Sequence, residues 1–304
     1  MNGRWQQMMR AVQATALVGV AAVWVIYLSR NVDVGALLAT LSRARAAPLA
    51  AALVVVALSP LSRTAYWKSI LVTDEPVPYR LLLKYTFAAN AMNAVLPARA
   101  GDAMRVWLLR ERHGVPVTQT GAAVVLEKTA DVLSLALLVA PLPWLLPRLP
   151  EGVGQALRTV LVIVGVLLAV LALAGRHAAG SRWLSGLAVL RRPEVVLRAF
   201  RAILATWLLD VACVLLVLSA VGLPVRIADA LLVLLFVNLA TAIPASPGQL
   251  GTHELGALTA LRLQGAAPEQ AVAFALLYHG AQLAPVFVLG LLDARTLLRR
   301  RAPA

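Results

Sequence analysis

Along the chain, apolar residues gather into eight stretches, at about residues 11–28, 48–66, 80–97, 116–140, 154–174, 201–221, 226–244 and 268–293, separated by shorter polar or basic intervals. Most approach the roughly 20 residues that an α-helix needs to cross a bilayer, so the pattern predicts an all-α polytopic membrane protein. Two stretches break in the middle. AANAMNAVLPARAGDAMRVWLLR (88–110) and FVNLATAIPASPGQLGTHELGAL (236–258) each place Pro and Gly beside polar and ionisable residues. Lipid cannot satisfy the backbone groups that a break sets free, so broken helix at membrane depth persists only inside protein or beside water. One interrupted segment in each half of a hydrophobic chain points to the substrate site of a transporter.

Composition agrees with this reading. The chain is 61% hydrophobic and 14% charged with mean hydropathy +0.81, well outside the soluble average. Within its 304 residues the longest polar interval, about 175–200, is punctuated by Trp183, Leu184, Leu187 and Leu190. No separate soluble catalytic domain is expected, and residues 1–304 read as a single transmembrane domain. The lone Cys213 supports neither a disulfide framework nor a cysteine metal site. The formal charge of +14 lies mostly beside apolar segments, where the positive-inside rule puts it. Without an aromatic-interleaved basic platform, nucleic acid is not an expected partner. The first apolar run follows Arg4 and Arg10 like a signal-peptide core but lacks a small-residue cleavage site before Asn31, so it is expected to be a retained first helix. The Ala- and Arg-rich, Lys-poor composition fits a high-GC bacterium and its inner membrane.

Charge also predicts the topology. Eight simple crossings from a cytoplasmic N-terminus would export the basic groups Arg105, Arg110 and Arg112 and Arg176, Arg182, Arg191, Arg192 and Arg198, against the charge rule. If each broken segment enters and leaves on one side, the conflict disappears. The expectation is about six full spans plus two re-entrant helical hairpins, with both termini cytoplasmic and Arg63 and Lys68 on the cytoplasmic side. Half one (about 48–140) and half two (about 201–293) then form an inverted repeat of span, hairpin, span. The interval 175–200 reads either as a cytoplasmic amphipathic helix on the anionic leaflet or as a plain basic connector.

Several residues at and around the breaks are candidates for substrate binding or translocation. In the first break, Pro97 removes a donor and Gly101 permits tight reversal. Asp102 reads as an N-cap or as a partner of Arg99, whose burial is costly unless it is paired or holds an anion such as a lipid phosphate. Asn90 and Asn93, on the entering helix, line a polar path or bond the other hairpin, and Arg105 closes the motif. The next span buries Glu127, Lys128 and Asp131 at spacings that share a face. These form a neutral structural cluster against Arg99 or include a carboxylate that carries a coupling proton. In the second break Pro244, Pro247, Gly248 and Gly251 rule out continuous helix, Ser246 and His253 supply polar groups, and Thr252 is expected to cap the helix carrying Glu254 in its first turn. HELGA lacks the second His of a zinc-protease helix, so neither a metal nor any other cofactor is expected. His279 and Gln282, three apart in the last span, face the cavity or sit as satisfied core groups.

Three motifs carry a family resemblance: N-x-x-x-P-x-R-x-G-D-x-x-R from Asn93 to Arg105, E-K-x-x-D from Glu127 to Asp131, and P-x-S-P-G-x-x-G-x-H-E from Pro244 to Glu254. Together they resemble the lysylphosphatidylglycerol synthase transmembrane-region family, related to the flippase domain of bacterial aminoacyl-phosphatidylglycerol synthases, over about residues 10–295. The departures are Asp102 where the family often has Glu, Lys128 where it often has Arg, and Gln249 where a second Gly is usual. The resemblance implies the flippase half without its synthase. The expected protein is therefore no enzyme but a lipid translocase for an anionic, modified or isoprenoid-linked lipid, with that membrane lipid and enzymes of lipid synthesis as partners. The alternatives are an integral membrane enzyme acting on a lipid-phosphate substrate and a non-transporting scaffold of a lipid-synthesis complex.

Overall fold

A computed structural model describes residues 19, 22, 24, 26–71, 76–95, 100–146, 151–177, 189, 191–242 and 246–299. All regular structure among them is helical: α1 (Val34–Ser42), α2 (Ala46–Ile70), α3 (Tyr79–Val95), α4 (Ala100–His113), α5 (Val117–Val139), the short α6 (Leu142–Leu145), α7 (Glu151–His177), α8 (Pro193–Ala220), α9 (Ile227–Thr241), α10 (Thr252–Leu263) and α11 (Pro268–Arg299). Four of these contain stretches long and apolar enough to cross a membrane, at 46–70, 152–170, 193–220 and 268–290. α5 is long enough at 23 residues, but its apolar run is interrupted by Glu127, Lys128 and Asp131. The chain is a multi-pass helical membrane protein. Apolar side chains cover its outside, as on α7, where Leu161, Val162, Val166 and Leu168 are exposed.

Two helix–break–helix units stand apart from the spans. α3 and α4 are 17 and 14 residues long, and α9 and α10 are 15 and 12, each short of the roughly 20 needed to cross a bilayer. Within each unit the arms run antiparallel. In the first, the Tyr85 hydroxyl meets His113 Nε2 at 3.2 Å while Gly101 N donates to Asn93 Oδ1 at 2.8 Å. In the second, Gln264 Nε2 donates to Asp229 Oδ1 at 2.8 Å near the open end. Glycine sets how closely the arms approach. A Cβ on Gly101 would lie 1.9 Å from the Ala89 carbonyl oxygen, and one on Gly256 would lie 2.6 Å from Val237 Cα.

α2 and α8 run antiparallel and pack directly against each other, with the first unit against α2 and α11 and the second against α8 and α11. Arg45, just before α2, donates its guanidinium and its backbone N–H to the carbonyls of Ser219 and Ala220 at the end of α8. Seventeen residues further on, the Ser62 and Thr206 hydroxyls bond at 2.7 Å. α9 is buried almost all round from Ala228 to Leu235, as expected for a helix hydrophobic on every face. The tip of the second unit rests on the first: a Cβ on Gly248 would approach the Ala94 carbonyl oxygen at 2.9 Å.

Two expectations need adjusting. Residues 193–200 are not part of a separate surface helix. They form the first turns of α8, which starts with Pro193 in its first turn, where a fixed φ and a missing donor suit a helix start. Thr252 does not cap α10. Gly251 takes that place at φ 85°, because Glu254 already satisfies the Gly251 N–H, and the Thr252 hydroxyl donates back to the Gln249 carbonyl at 3.0 Å. Arg99, Pro97 and Pro244 lie outside the described residues, so their expected roles are not addressed.

The close approaches give a direct test. Gly101→Ala and Gly256→Ala each drive a methyl group into backbone, and both are expected to lower the melting temperature in detergent sharply. Gly121→Ala on α5, where a Cβ meets nothing within 4 Å, is expected to be neutral or mildly stabilising through helix propensity. Equal melting of all three variants would contradict this account of the hairpin packing.

Candidate functional site

Polar side chains that the hydropathy pattern scatters along the chain converge on one cavity of about 480 Å³ between the two helix–break–helix units and the helices around them. Asn90, Asn93, Asp102 and Arg105 reach it from the first unit; Ser246, Gly248 and His253 from the second; Glu127, Lys128 and Asp131 from α5; and His279 and Gln282 from α11. Val132, Leu135, Val160, Ile163, Leu283 and Val286 give the same cavity an apolar wall. Of the described candidate side chains, Thr252 and Glu254 are outside the lining, Glu254 one hydrogen bond behind it.

Glu127 is the centre of the charged wall. Its Oε1 accepts from Arg63 Nη1 at 2.9 Å, and its Oε2 accepts from Trp67 Nε1 at 3.1 Å and Arg105 Nη2 at 3.4 Å. Asp131, one turn on, takes both Nη atoms of Arg63 at 3.2 and 3.1 Å and the Trp207 Nε1 at 3.2 Å. Arg105 lies 4.2 Å above the Trp67 ring and donates to Asp102 Oδ1 at 3.0 Å. Lys128 stands 3.7 Å from Asp102 and 3.9 Å from Asp131. Six charges from α2, α4 and α5 thus compensate one another, as burial in low dielectric demands.

This corrects the placing of Arg63, which is no surface charge. It projects from α2 into the cavity, where two carboxylates on α5 need a cation. Arg105 is likewise buried, paired with Asp102 and Glu127. Among the described residues Asn93 bonds within its own unit, to Gly101 N and, at 3.4 Å, to Asp102 Oδ1, and not to the second one. Asp102 sits inside the first turn of α4 as an ion-pair partner. The spacing of Glu127, Lys128 and Asp131 signals that partners exist, but Arg63, Trp67, Trp207 and Asp210 carry no motif, and only tertiary packing brings them in.

The second break is wired group by group. His279 Nε2 donates to the Gly248 carbonyl at 2.9 Å, and its Nδ1 lies 2.6 Å from Glu254 Oε1. Glu254 Oε2 accepts from Gly251 N at 2.7 Å, Trp24 Nε1 donates to Gly251 O at 2.8 Å, and Ser246 Oγ donates to Leu250 O at 2.6 Å. Apart from the His279–Glu254 bond, each satisfies backbone that a continuous helix would have satisfied itself. Gln249 adopts φ 61°, a conformation that costs a non-glycine residue about 1–2 kcal/mol and turns its side chain toward the cavity. In contrast, both ring nitrogens of buried His253, and Nε and Nη1 of Arg105, have no hydrogen-bond partner among the described residues. His253 stacks on His279 with centroids 4.2 Å apart. No cluster of three or more His, Cys, Asp or Glu among the described residues is arranged to hold a metal ion.

Removing Glu127 should therefore be costly. Glu127→Ala strands Arg63 and Arg105 and is expected to destabilise the protein by about 3–5 kcal/mol, while the paired replacement Arg63→Met with Glu127→Leu recovers a large part. A double-mutant cycle on melting in detergent checks this, and simple additivity would show that the two are not coupled.

A comparison with known families adds one match: the family described as lysylphosphatidylglycerol synthase TM region fits residues 12–290. Among curated proteins, glycosyltransferase AglD of Haloferax volcanii is 26% identical over 316 residues, covering 85% of this chain and 50% of that protein. The chain spans about half the length of this relative.

Proposed function

Because the chain belongs to the lysylphosphatidylglycerol synthase transmembrane-region family, we propose that it is a translocase that moves an anionic, modified or isoprenoid-linked lipid between the leaflets of a bacterial inner membrane. One observation carries the reading: a cavity of about 480 Å³ with a charged wall and an apolar wall, bounded by two broken helical units. That volume suits a lipid headgroup and the start of its acyl chains. The unpartnered nitrogens of Arg105 and His253 would meet headgroup oxygens, with the planar Arg105 fork suited to a phosphate. Both short units would be re-entrant, reaching the cavity and returning to the side from which they came. The antiparallel pair α2 and α8 supports two halves in opposite orientation, each a span, a hairpin and a span.

His253 offers a test that separates binding from folding. Replacing a buried histidine whose ring nitrogens have no partner among the described residues with an apolar residue of similar volume should leave stability unchanged or raised. His253→Leu is expected to melt no lower than wild type yet to move fluorescent phospholipid more slowly in proteoliposomes. Normal movement would remove His253 from the headgroup site. Failure of the wild-type protein to move any phospholipid or polyprenyl phosphate would overturn the translocase reading.

Topology is checked independently. Single cysteines at Arg110, Arg191 and Arg262 in a Cys213→Ala background should react with an impermeant thiol reagent on intact spheroplasts only at position 262. Labelling at 110 and 191 but not at 262 would reverse the proposed orientation.

The name of the AglD relative favours a second reading, transfer of a sugar from a lipid-linked donor. Incubation with a radiolabelled lipid-linked sugar decides between them. Sugar that leaves its lipid carrier indicates a transferase, and sugar that changes leaflet while still attached indicates a translocase.

A further inference from the structure

The cavity contains one charge too many. Arg63, Arg105 and Lys128 balance Asp102, Glu127 and Asp131 one for one, and each stands within 3.9 Å of an opposite charge. Glu254 and His279 form a second neutral unit. Nε2 of His279 faces a carbonyl oxygen and therefore carries a hydrogen, which leaves a single proton to be shared across the 2.6 Å between Nδ1 and Glu254 Oε1. Wherever that proton resides, the pair has no net charge.

Asp210 is the remaining group. It lies on α8, one turn after Trp207, and lines the same cavity. Among the described residues it makes no hydrogen bond or ion pair. The ionisable groups in electrostatic range are Cys213 on its own helix, Arg63 from α2, Asp131 from α5 and Tyr278 from α11. α9 adds the neutral Asn238 to the wall. Arg63 is the sole cation of this set, and both its Nη atoms are already spent on Glu127 and Asp131.

A carboxylate half-buried among apolar helices is paired, holds a cation or is neutralised. A hard metal ion would need several oxygen ligands, and here the nearest other carboxylate, Asp131, is engaged through both oxygens by Arg63. A proton needs one. We propose that Asp210 binds the coupling proton of the transport cycle, an inference that rests on the translocase reading. The exchange is a single step: the carboxyl O–H breaks, the proton passes to cavity water on the side then open, and the reverse occurs on the other side. With the proton bound, the six-charge network is balanced. With it gone, a fourth carboxylate stands beside Arg63 and competes with Asp131, which α8 also holds through Trp207. Proton loss therefore loosens the tie between α2, α5 and α8.

The experiment has two arms on the full chain. In the first, infrared difference spectra of protein in nanodiscs follow the protonated-carboxyl band through a pH titration. The band is expected in wild type and in Asp229→Asn, whose target bonds Gln264 away from the cavity, and is expected to be lost in Asp210→Asn. In the second, proteoliposomes carrying fluorescent phospholipid receive a gradient of one pH unit. For one proton per lipid this biases the leaflet distribution by up to about tenfold. Asp210→Asn should abolish the bias and Asp210→Glu should restore it. Persistence of the bias or of the band in Asp210→Asn overturns the proposal. So does wild-type lipid movement indifferent to the gradient, which leaves the translocase reading standing. If wild type moves no lipid, that reading fails and the coupling role falls with it, and the infrared arm alone decides whether Asp210 holds a proton. A carboxylate ionised throughout the titration, and shielded only by lipids with an ammonium headgroup, would make Asp210 a headgroup counter-ion and also overturn the proposal.

Discussion

Hydrocarbon offers no partner to a freed amide, a carbonyl or a charge, and the interior of this protein is arranged around that lack. The second break exposes backbone groups at Gly248, Leu250 and Gly251, and each finds a side chain from elsewhere: His279 from the last helix, Ser246 from the break itself, Trp24 from the N-terminal helix. Carboxylates on α5 bring cations from α2 and α4 to them. The cavity exists because these polar groups had to be gathered. Once gathered, they keep apolar side chains from filling the space between them.

The two solutions differ in kind. Around Glu127 compensation is ionic, spread over three helices, with five of the six ion-pair distances at 3.0 to 3.9 Å. Around Glu254 it is a compact chain of short hydrogen bonds at 2.6 to 2.9 Å that fixes one turn of backbone. The first can exchange partners at modest cost, since each cation already serves two carboxylates. The second has no spare partner. The ionic network is thus where the protein can change state, and the second hairpin tip is the firmer wall.

How much of this the sequence discloses depends on whether a residue's role is local. Helix content, the two breaks and the family follow from runs of apolar residues and from Pro, Gly and charge at fixed spacings, all of which act within a few residues. Glu127, Lys128 and Asp131 were legible as one face because helical spacing is itself a contact rule. Arg63 and Asp210 were not. Each is a single charge in an apolar helix, and the same rule that credits charge to the membrane surface assigned Arg63 to the cytoplasmic face. Its partner is 64 residues away in sequence, so no spacing could announce it. Thr252 was misassigned as a cap for a related reason: a good capping side chain loses to a glycine when positive φ is needed and a first-turn Glu already accepts the free amide.

The separation of the two networks bears on how the halves could move. The ionic network ties the first hairpin, through Asp102 and Arg105 on α4, to α2 and α5, while the hydrogen-bond chain ties the second hairpin to α11. Between the hairpins themselves the described contact is backbone against backbone, Gly248 beside the Ala94 carbonyl, with no ion pair across it. A contact made by a glycine without a side chain can slide without stranding a polar group, whereas moving either hairpin away from its own span would. Relative motion in this fold therefore costs least at the line where the two tips meet, which is also a wall of the cavity.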